Sequence, residues 1–329
     1  MRVVIPGGSG HLGTLLARSF SEGGHEVVVI SRNRGLTRPW RWVAWDGRRL
    51  GRWAEEIDGA DAVINLAGRS VDCRYTKRNQ REILQSRVDS TRVLGEAIAA
   101  ANNPPHVWLQ ASTATIYAHR FDAPNDEHTG LIGGNEQGAP KAWNFSIDVA
   151  RAWERELDDA NTPRTRKVKL RSAIVMNAGD GGPFDIYLRL VRFGLGGPHG
   201  GGRQWMSWIH SRDFFRAIKW LIDRRFVDGV VNLAAPNPLP NAEFLRELRQ
   251  AWGRGFGLPA TKLMLEAAAF FHRTETELLL KSRRVVPARL LESGFRFEFP
   301  AWPEAARDLC DQWRQRCERT ISVQSQPVL

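Results

Sequence analysis

Cysteine is scarce in this 329-residue chain: Cys73, Cys310 and Cys317 are the whole supply. Three is an odd number and no C-x-x-C pair occurs, so neither a disulfide framework nor a metal site is expected. A reducing, cytoplasmic setting follows as the expectation. Long apolar runs are missing as well. No window nears the roughly eighteen uninterrupted apolar residues that a membrane span needs, and a strand pattern opens at residue 2, where a leader peptide would otherwise stand. Zinc-finger spacing and basic arms are absent too. Nucleic acid is therefore not the expected partner, although Lys plus Arg exceed Asp plus Glu by 47 to 36, a net charge of +11. Those cations are spread along the chain, and part of the excess suits an anionic cofactor. Tyrosine is rare as well, at three residues, and this shortage matters below.

What the chain does have is a glycine turn. The apolar run Val3-Val4-Ile5-Pro6 enters Gly7-Gly8-Ser9-Gly10-His11-Leu12-Gly13 and a helix expected over Thr14 to Glu22. Gly7 permits the tight turn, Gly10 lets a pyrophosphate touch the backbone, and Gly13 lets helix and strand pack closely. Backbone N–H groups from Ser9 to Gly13, with the positive end of the helix dipole, would receive the phosphates. The next strand, Glu26 to Ile30, is followed by Ser31-Arg32-Asn33-Arg34. An NAD-binding fold usually places a carboxylate there, about twenty residues past the glycines. A hydroxyl from Ser31 and guanidinium groups from Arg32 and Arg34 suit a ribose 2′-phosphate instead. NADP(H) is the expected cofactor.

Strands and helices then alternate. Strands are expected at Arg41–Trp45, Ala62–Leu66, Val107–Ala111, Val168–Ile174 and Gly229–Leu233. Helices are expected at Asn79–Ala101, Phe145–Asp158 and Phe214–Ile222. This pattern predicts an α/β fold, a Rossmann-type doubly wound parallel sheet, with a smaller, mainly helical C-terminal lobe. The dinucleotide-binding domain is expected over 1–175, with 205–236 returning to the same sheet. Residues 176–204 and 237–318 would form the substrate-side lobe, and 319–329 a flexible tail. The loops at Gly179–Gly182 and Gly194–Gly202 suit closure over a ligand.

Several motifs give the chain a family likeness. Together with the glycine turn, Asn65-Leu66-Ala67-Gly68 and the run Ala111-Ser112-Thr113-Ala114-Thr115-Ile116-Tyr117 resemble the extended short-chain dehydrogenase/reductases. Ser86-Arg87, Trp153-Glu154, Gly194-Leu195-Gly196-Gly197, Trp208-Ile209-His210 and the run from Pro287 to Phe297 are similar to one atypical branch. That branch is the YfcH-like or SDR39U1-like epimerase family. The resemblance implies a seven-stranded sheet with the cofactor across the strands' C-terminal ends. It also implies backbone contacts from Leu66, Ala67 and Gly68, a cofactor-facing Glu82 and Arg87, and Val175 near the nicotinamide.

The wider group uses a Tyr-x-x-x-Lys pair to move a proton while hydride moves. Here Asn79, Phe121 and Val191 stand four residues beyond Tyr75, Tyr117 and Tyr187, so the pair does not exist. Alignment through Trp153-Glu154 puts Ser146 and Ala150 at those positions. Thr113 and Tyr117 are the substitute catalytic candidates, and Arg203, Gln204 and His210 the substrate-side ones. A hydrogen-bonded structural role is the competing reading for His210. Two functions remain open: an NADP-dependent oxidoreductase or epimerase acting on an unidentified small polar substrate, nucleotide-linked ones included, or an NADPH-binding regulator with little turnover.

Overall fold

The computed structural model describes residues 1–33, 39–261 and 277–324. Its strands are β1 (Arg2–Pro6), β2 (Glu26–Ser31), β3 (Arg41–Ala44), β4 (Ala62–Asn65), β5 (Val107–Thr113), β6 (Arg166–Ser172), β7 (Ile174–Met176), β8 (Trp205–Met206), β9 (Trp208–His210), β10 (Gly229–Leu233) and β11 (Leu239–Pro240). Seven of them form one sheet in the order β10-β6-β5-β4-β1-β2-β3, and every neighbouring pair is parallel. The order reverses at β1/β4, the switch point at which such sheets open a crevice beyond the strand ends.

Helices cover both faces: α1 (His11–Glu22), α2 (Lys77–Ala100), α3 (Asn144–Asp159), α4 (Pro183–Arg192), α5 (Ser211–Asp223), α6 (Asn241–Trp252), α7 (Glu277–Leu280), α8 (Ala288–Glu292) and α9 (Trp302–Gln324). Strand residues alternate between the faces, as a period of two requires. Val3, Ile5, Val29 and Leu109 pack with Leu16 and Phe20 of α1 and Phe214 and Leu221 of α5. Val4, Val28, Val63 and Trp108 pack with Leu94 and Ile98 of α2 and Leu157 of α3. Burial on both faces explains why the strands read as unbroken apolar runs. A separate core joins α4, α6 and α9 to the short strands, with Phe244 stacked on Trp302 at 4.0 Å.

Several boundaries differ from expectation. Helix α1 starts at His11, three residues early, because Gly10 takes the cap position. The strand expected over Val168–Ile174 is two: Ala173 N–H still donates to Leu233 O, but Ile174 N–H donates to Ser207 O, and β7 pairs with β9 outside the main sheet. Of 205–236, only β10 joins that sheet, since β8 pairs with β11. Finally, α9 runs through Gln324, past residue 319, where a tail was expected.

At the opposite end of the sheet from the crevice, three cations close three helices. Arg164 donates to Ala101 O and Asn102 O beyond α2 at 2.9 and 3.0 Å. Lys167 Nζ donates to Leu157 O, Asp158 O and Ala160 O at the end of α3, at 2.9–3.1 Å. Arg166 donates to Leu221 O of α5 at 2.6 Å and to Val227 O. They line a cavity of about 780 Å³ with His106 and Arg225. Their bonds run to carbonyls that carry the negative end of each dipole, so these cations serve the helix ends. Lys167→Met is expected to cost about 1–2 kcal/mol of stability, read as a lower urea midpoint with an unchanged slope. A loss below about 0.3 kcal/mol would show that water satisfies the α3 terminus as well as lysine does.

Candidate functional site

The crevice is built by what its glycines leave out. A Cβ on Gly7, whose φ is +77°, would stand 2.5 Å from Ala67 N, and one on Gly13 would stand 2.4 Å from Gly8 Cα. These two absences let the β1 and β4 loops touch and let α1 sit down on the turn. Gly10 is different: its Cβ would meet only Gly7 O, at 3.6 Å, an ordinary contact. The space above Gly10 is therefore open. Helix α1 carries neither a side-chain cap nor an acidic residue in its first turn, so its leading N–H groups face that space uncompensated. These features fit a pyrophosphate.

A buried amide pair holds the other wall. Asn65 Nδ2 donates to Gln110 Oε1 at 3.0 Å, Trp108 Nε1 donates to the same oxygen at 3.0 Å, and Asn65 Oδ1 accepts from Ala67 N at 3.0 Å. This fixes the path of Leu66, Ala67 and Gly68. Asn65 and Gln110 are fully buried; Asn65 opens the Asn65–Gly68 motif, whereas only its place in a strand pattern marks Gln110 in the sequence. Arg87 lies under Gly68, its Cζ 3.2 Å from where a Cβ would be. Its Nη1 donates to Arg69 O and Ile83 O and its guanidinium covers the Trp153 ring at 4.9 Å. Burial pushes its pKa down to about 10, which still leaves it charged at neutral pH. The Gly179–Gly182 loop lies over the turn, with Gly182 packed so closely on the His11 imidazole that a Cβ there would come within 2.9 Å of it.

Several expected roles need correction. Glu82 does not offer a free carboxylate to a cofactor, because Arg69 and Arg78 both pair with it. Ser31 is buried, donates to Asn33 O at 2.7 Å and accepts from Trp42 Nε1 at 2.9 Å. Its hydroxyl shapes the turn and is not available to a phosphate. Arg32 is exposed at the end of β2, and Arg34 lies outside the described residues.

At the end of β5, Thr113 is half-buried and its Oγ1 accepts from Thr115 N at 3.1 Å. The hydroxyl proton remains available to a substrate oxygen. Tyr117, in contrast, is sealed in: it is 2% exposed, donates to Asn232 Oδ1 at 2.9 Å and lies against Arg171. Burial pushes its pKa up, the wrong direction for a base. Arg171 in turn forms a two-point pair with Glu154 at 2.8 Å, and Glu154 accepts from Ser112 at 2.6 Å. Ala150, at the lysine position, is fully buried beside Tyr117. Ser146, at the tyrosine position, is half-buried and donates to Glu277 Oε2 at 2.6 Å. Val175 is buried in β7, paired with Ile209.

On the substrate side, Gln204 is buried and donates to His199 O and Leu279 O. His210 is fully buried, caps α5 by accepting from Arg212 N through Nδ1, and presents Nε2 to Asp308 at 3.0 Å. Burial lowers its pKa, and Phe299 stacks on it at 4.0 Å. Both residues are structural. Arg203 is exposed on the glycine loop.

Comparison with known proteins agrees with this geometry. Residues 3–135 match the NAD dependent epimerase/dehydratase family, and 260–309 match a domain of unknown function, DUF1731. Epimerase family protein SDR39U1 of Bos taurus is 34% identical over 315 residues, covering 94% of this chain and 99% of that protein. Epimerase family protein YfhF of Bacillus subtilis is 29% identical, covering 91% and 94%. The crystal structure of human SDR39U1 (isoform 2) with NADPH superposes with a TM-score of 0.82 at 31% identity, covering 94% of this chain and 99% of that one. No helix among the described residues is long and apolar enough to cross a membrane. With a glycine-turn crevice at the switch point and this identity over nearly its whole length, the chain belongs to the SDR39U1 epimerase family, within the NAD dependent epimerase/dehydratase group.

Proposed function

We propose that this chain binds NADP(H) and transfers hydride to or from a small polar substrate, nucleotide-linked substrates included. The observation that carries this reading is the open space over Gly10, bounded by uncompensated N–H groups of α1. Ser9 to Gly13 would hold the pyrophosphate, the Leu66–Gly68 backbone and Arg87 the adenosine side, and Val175 the nicotinamide side. Arg32, at the end of a β2 that offers no carboxylate, would face the 2′-phosphate, with Arg34 beside it in sequence. The bound NADPH of the human relative supports this choice. When bound, the cofactor supplies the hydride. Thr113 would hydrogen-bond the reacting oxygen through its hydroxyl and so fix the reacting carbon at the end of β5. Residues 176–204 and 237–318 we assign to the substrate side.

The competing reading, an NADPH-binding regulator without turnover, draws on the missing pair and on the burial of Tyr117. A screen of carbonyl compounds for NADPH consumption, and of sugar nucleotides for conversion to an epimer, separates the two. Sustained turnover of any of them excludes the regulator.

Two substitutions test the cofactor itself. Arg32→Ala is expected to weaken NADPH binding by about 1–3 kcal/mol, as for a lost charge-assisted phosphate contact, and to leave NADH binding nearly unchanged. Calorimetry with both cofactors checks it, and equal wild-type affinities would refute NADP(H) preference. Gly10→Val is expected to abolish the thermal shift given by NADPH while the circular dichroism spectrum stays that of the wild type, since its Cβ meets no atom closer than 3.6 Å. A mutant that NADPH still stabilises would move the phosphate site elsewhere.

A further inference from the structure

We propose that Glu277 is the proton reservoir of this site, exchanging its proton with the reacting oxygen through the Ser146 hydroxyl. The inference rests on the hydride-transfer reading above and supplies the acid/base group that reading lacks.

Glu277 is 3% exposed, and only one of its carboxyl oxygens has a hydrogen-bond partner: Oε2 accepts from Ser146 Oγ at 2.6 Å. Oε1 is fully buried with no hydrogen-bond partner and has Lys281 Nζ 3.6 Å away. Lys281, 1% exposed, donates to Thr115 O at 2.8 Å. Arg283 donates from Nε to Thr115 Oγ1 at 3.2 Å and from Nη2 to Glu277 O at 3.1 Å. Thr115 N–H, in turn, donates to Thr113 Oγ1. Ser146, Glu277, Lys281, Arg283, Thr115 and Thr113 thus form one connected set. Its two half-buried hydroxyls at the ends are Ser146 and Thr113. Oε1 faces the Lys281 ammonium from outside hydrogen-bond reach, so the carboxyl is tied by a hydrogen bond at Oε2 alone.

In the reducing direction, hydride reaches the carbonyl carbon and the C=O pair moves onto oxygen. In the acid form Glu277 Oε2–H donates to Ser146 Oγ across the 2.6 Å contact, so the reacting oxygen takes the proton of Ser146 while Ser146 takes that of Glu277. The resulting carboxylate faces Lys281, and solvent later returns a proton to it. Oxidation runs the same transfers backwards. Burial raises the Glu277 pKa, against the lowering effects of Arg283, Lys281 and the Ser146 hydrogen bond. Lys281 also faces Glu136 and Arg283, with His119 beside it, and Arg283 faces the Tyr187 and Tyr75 phenols. A raised carboxyl pKa keeps the acid form above the ordinary range and loses it as pH rises through the raised value.

Infrared difference spectra of the full chain between about pH 5 and about pH 8 test this without a known substrate. The wild type should show a carboxylic-acid C=O band titrating above the ordinary glutamate range. Glu277→Gln should lose one such band, those of Glu127 and Glu156, also raised by burial, remaining, and Ser146→Ala should displace that same band, with the NADPH binding heat retained in both. If Glu277→Gln destabilises the fold, the Ser146→Ala displacement decides alone. A wild-type spectrum with no such band, alongside intact NADPH binding, overturns the Glu277 assignment and spares the cofactor reading. A wild type that gives no NADPH binding heat overturns both.

Discussion

Between the first and fourth strands of the sheet the chain passes so close to itself that Gly7 and Ala67 have room for backbone only. This contact sits where the strand order reverses, so the two loops diverge on either side of it and a crevice opens above. A side chain at Gly7 would part the loops and, through Pro6 and Leu66, the strands beneath them. The contact is held from below by amides as well as by the packing of Ala67 in the core. Asn65 and Gln110 satisfy each other, the Trp108 indole and the Ala67 N–H in a dry interior. A buried polar network with its partners in place specifies one geometry where an apolar core would tolerate several. The cofactor wall is therefore set by residues that no ligand touches.

The second wall belongs to the C-terminal segment, which is threaded through the site more than laid against it. Ser282 N–H donates to His119 Nδ1 and its hydroxyl to Arg120 O. Ser207 Oγ donates to Arg283 O and accepts from Val285 N. Asn125 N–H donates to Arg284 O, and Val286 N–H to Asn125 O. Residues 281–286 thus lie between the loop after β5 and the one before β9, tied to both. This segment brings two buried cations, Lys281 and Arg283, against the loop after β5.

The legible part of this protein is the part written in short-range patterns. A period of two within strands, glycines three apart and the absent carboxylate after β2 all act within a few residues, and the sheet follows from them. Boundaries slipped where a tertiary partner took over: β6 ends at Ser172 because Ser207, 33 positions on from Ile174 by numbering, offers the next hydrogen bond. Site residues slipped for the same reason. His210, Gln204 and Tyr117 have the chemistry of functional groups, but Asp308, Leu279 and Asn232 occupy them. Those partners are distant in sequence and carry no local signal. Ser146 and Glu277 lie 131 residues apart, and their contact is invisible until the chain is folded.

The basic composition reads differently once the cations are located. A surface that recruits polyanions needs its charges turned outward. Here Arg164, Arg166 and Lys167 are turned onto helix carbonyls, Arg87 onto the Ile83 and Arg69 carbonyls, and Arg171 onto Glu154. Lys281 and Arg283 are turned onto Thr115 and Glu277. Each of these closes a terminus, a loop or a buried carboxylate of the chain itself. The crevice, meanwhile, has no acid in the first turn of α1, and Arg32 stands exposed at the end of β2. Those cations serve the fold, whereas the first turn of α1 offers an anion no acidic competitor.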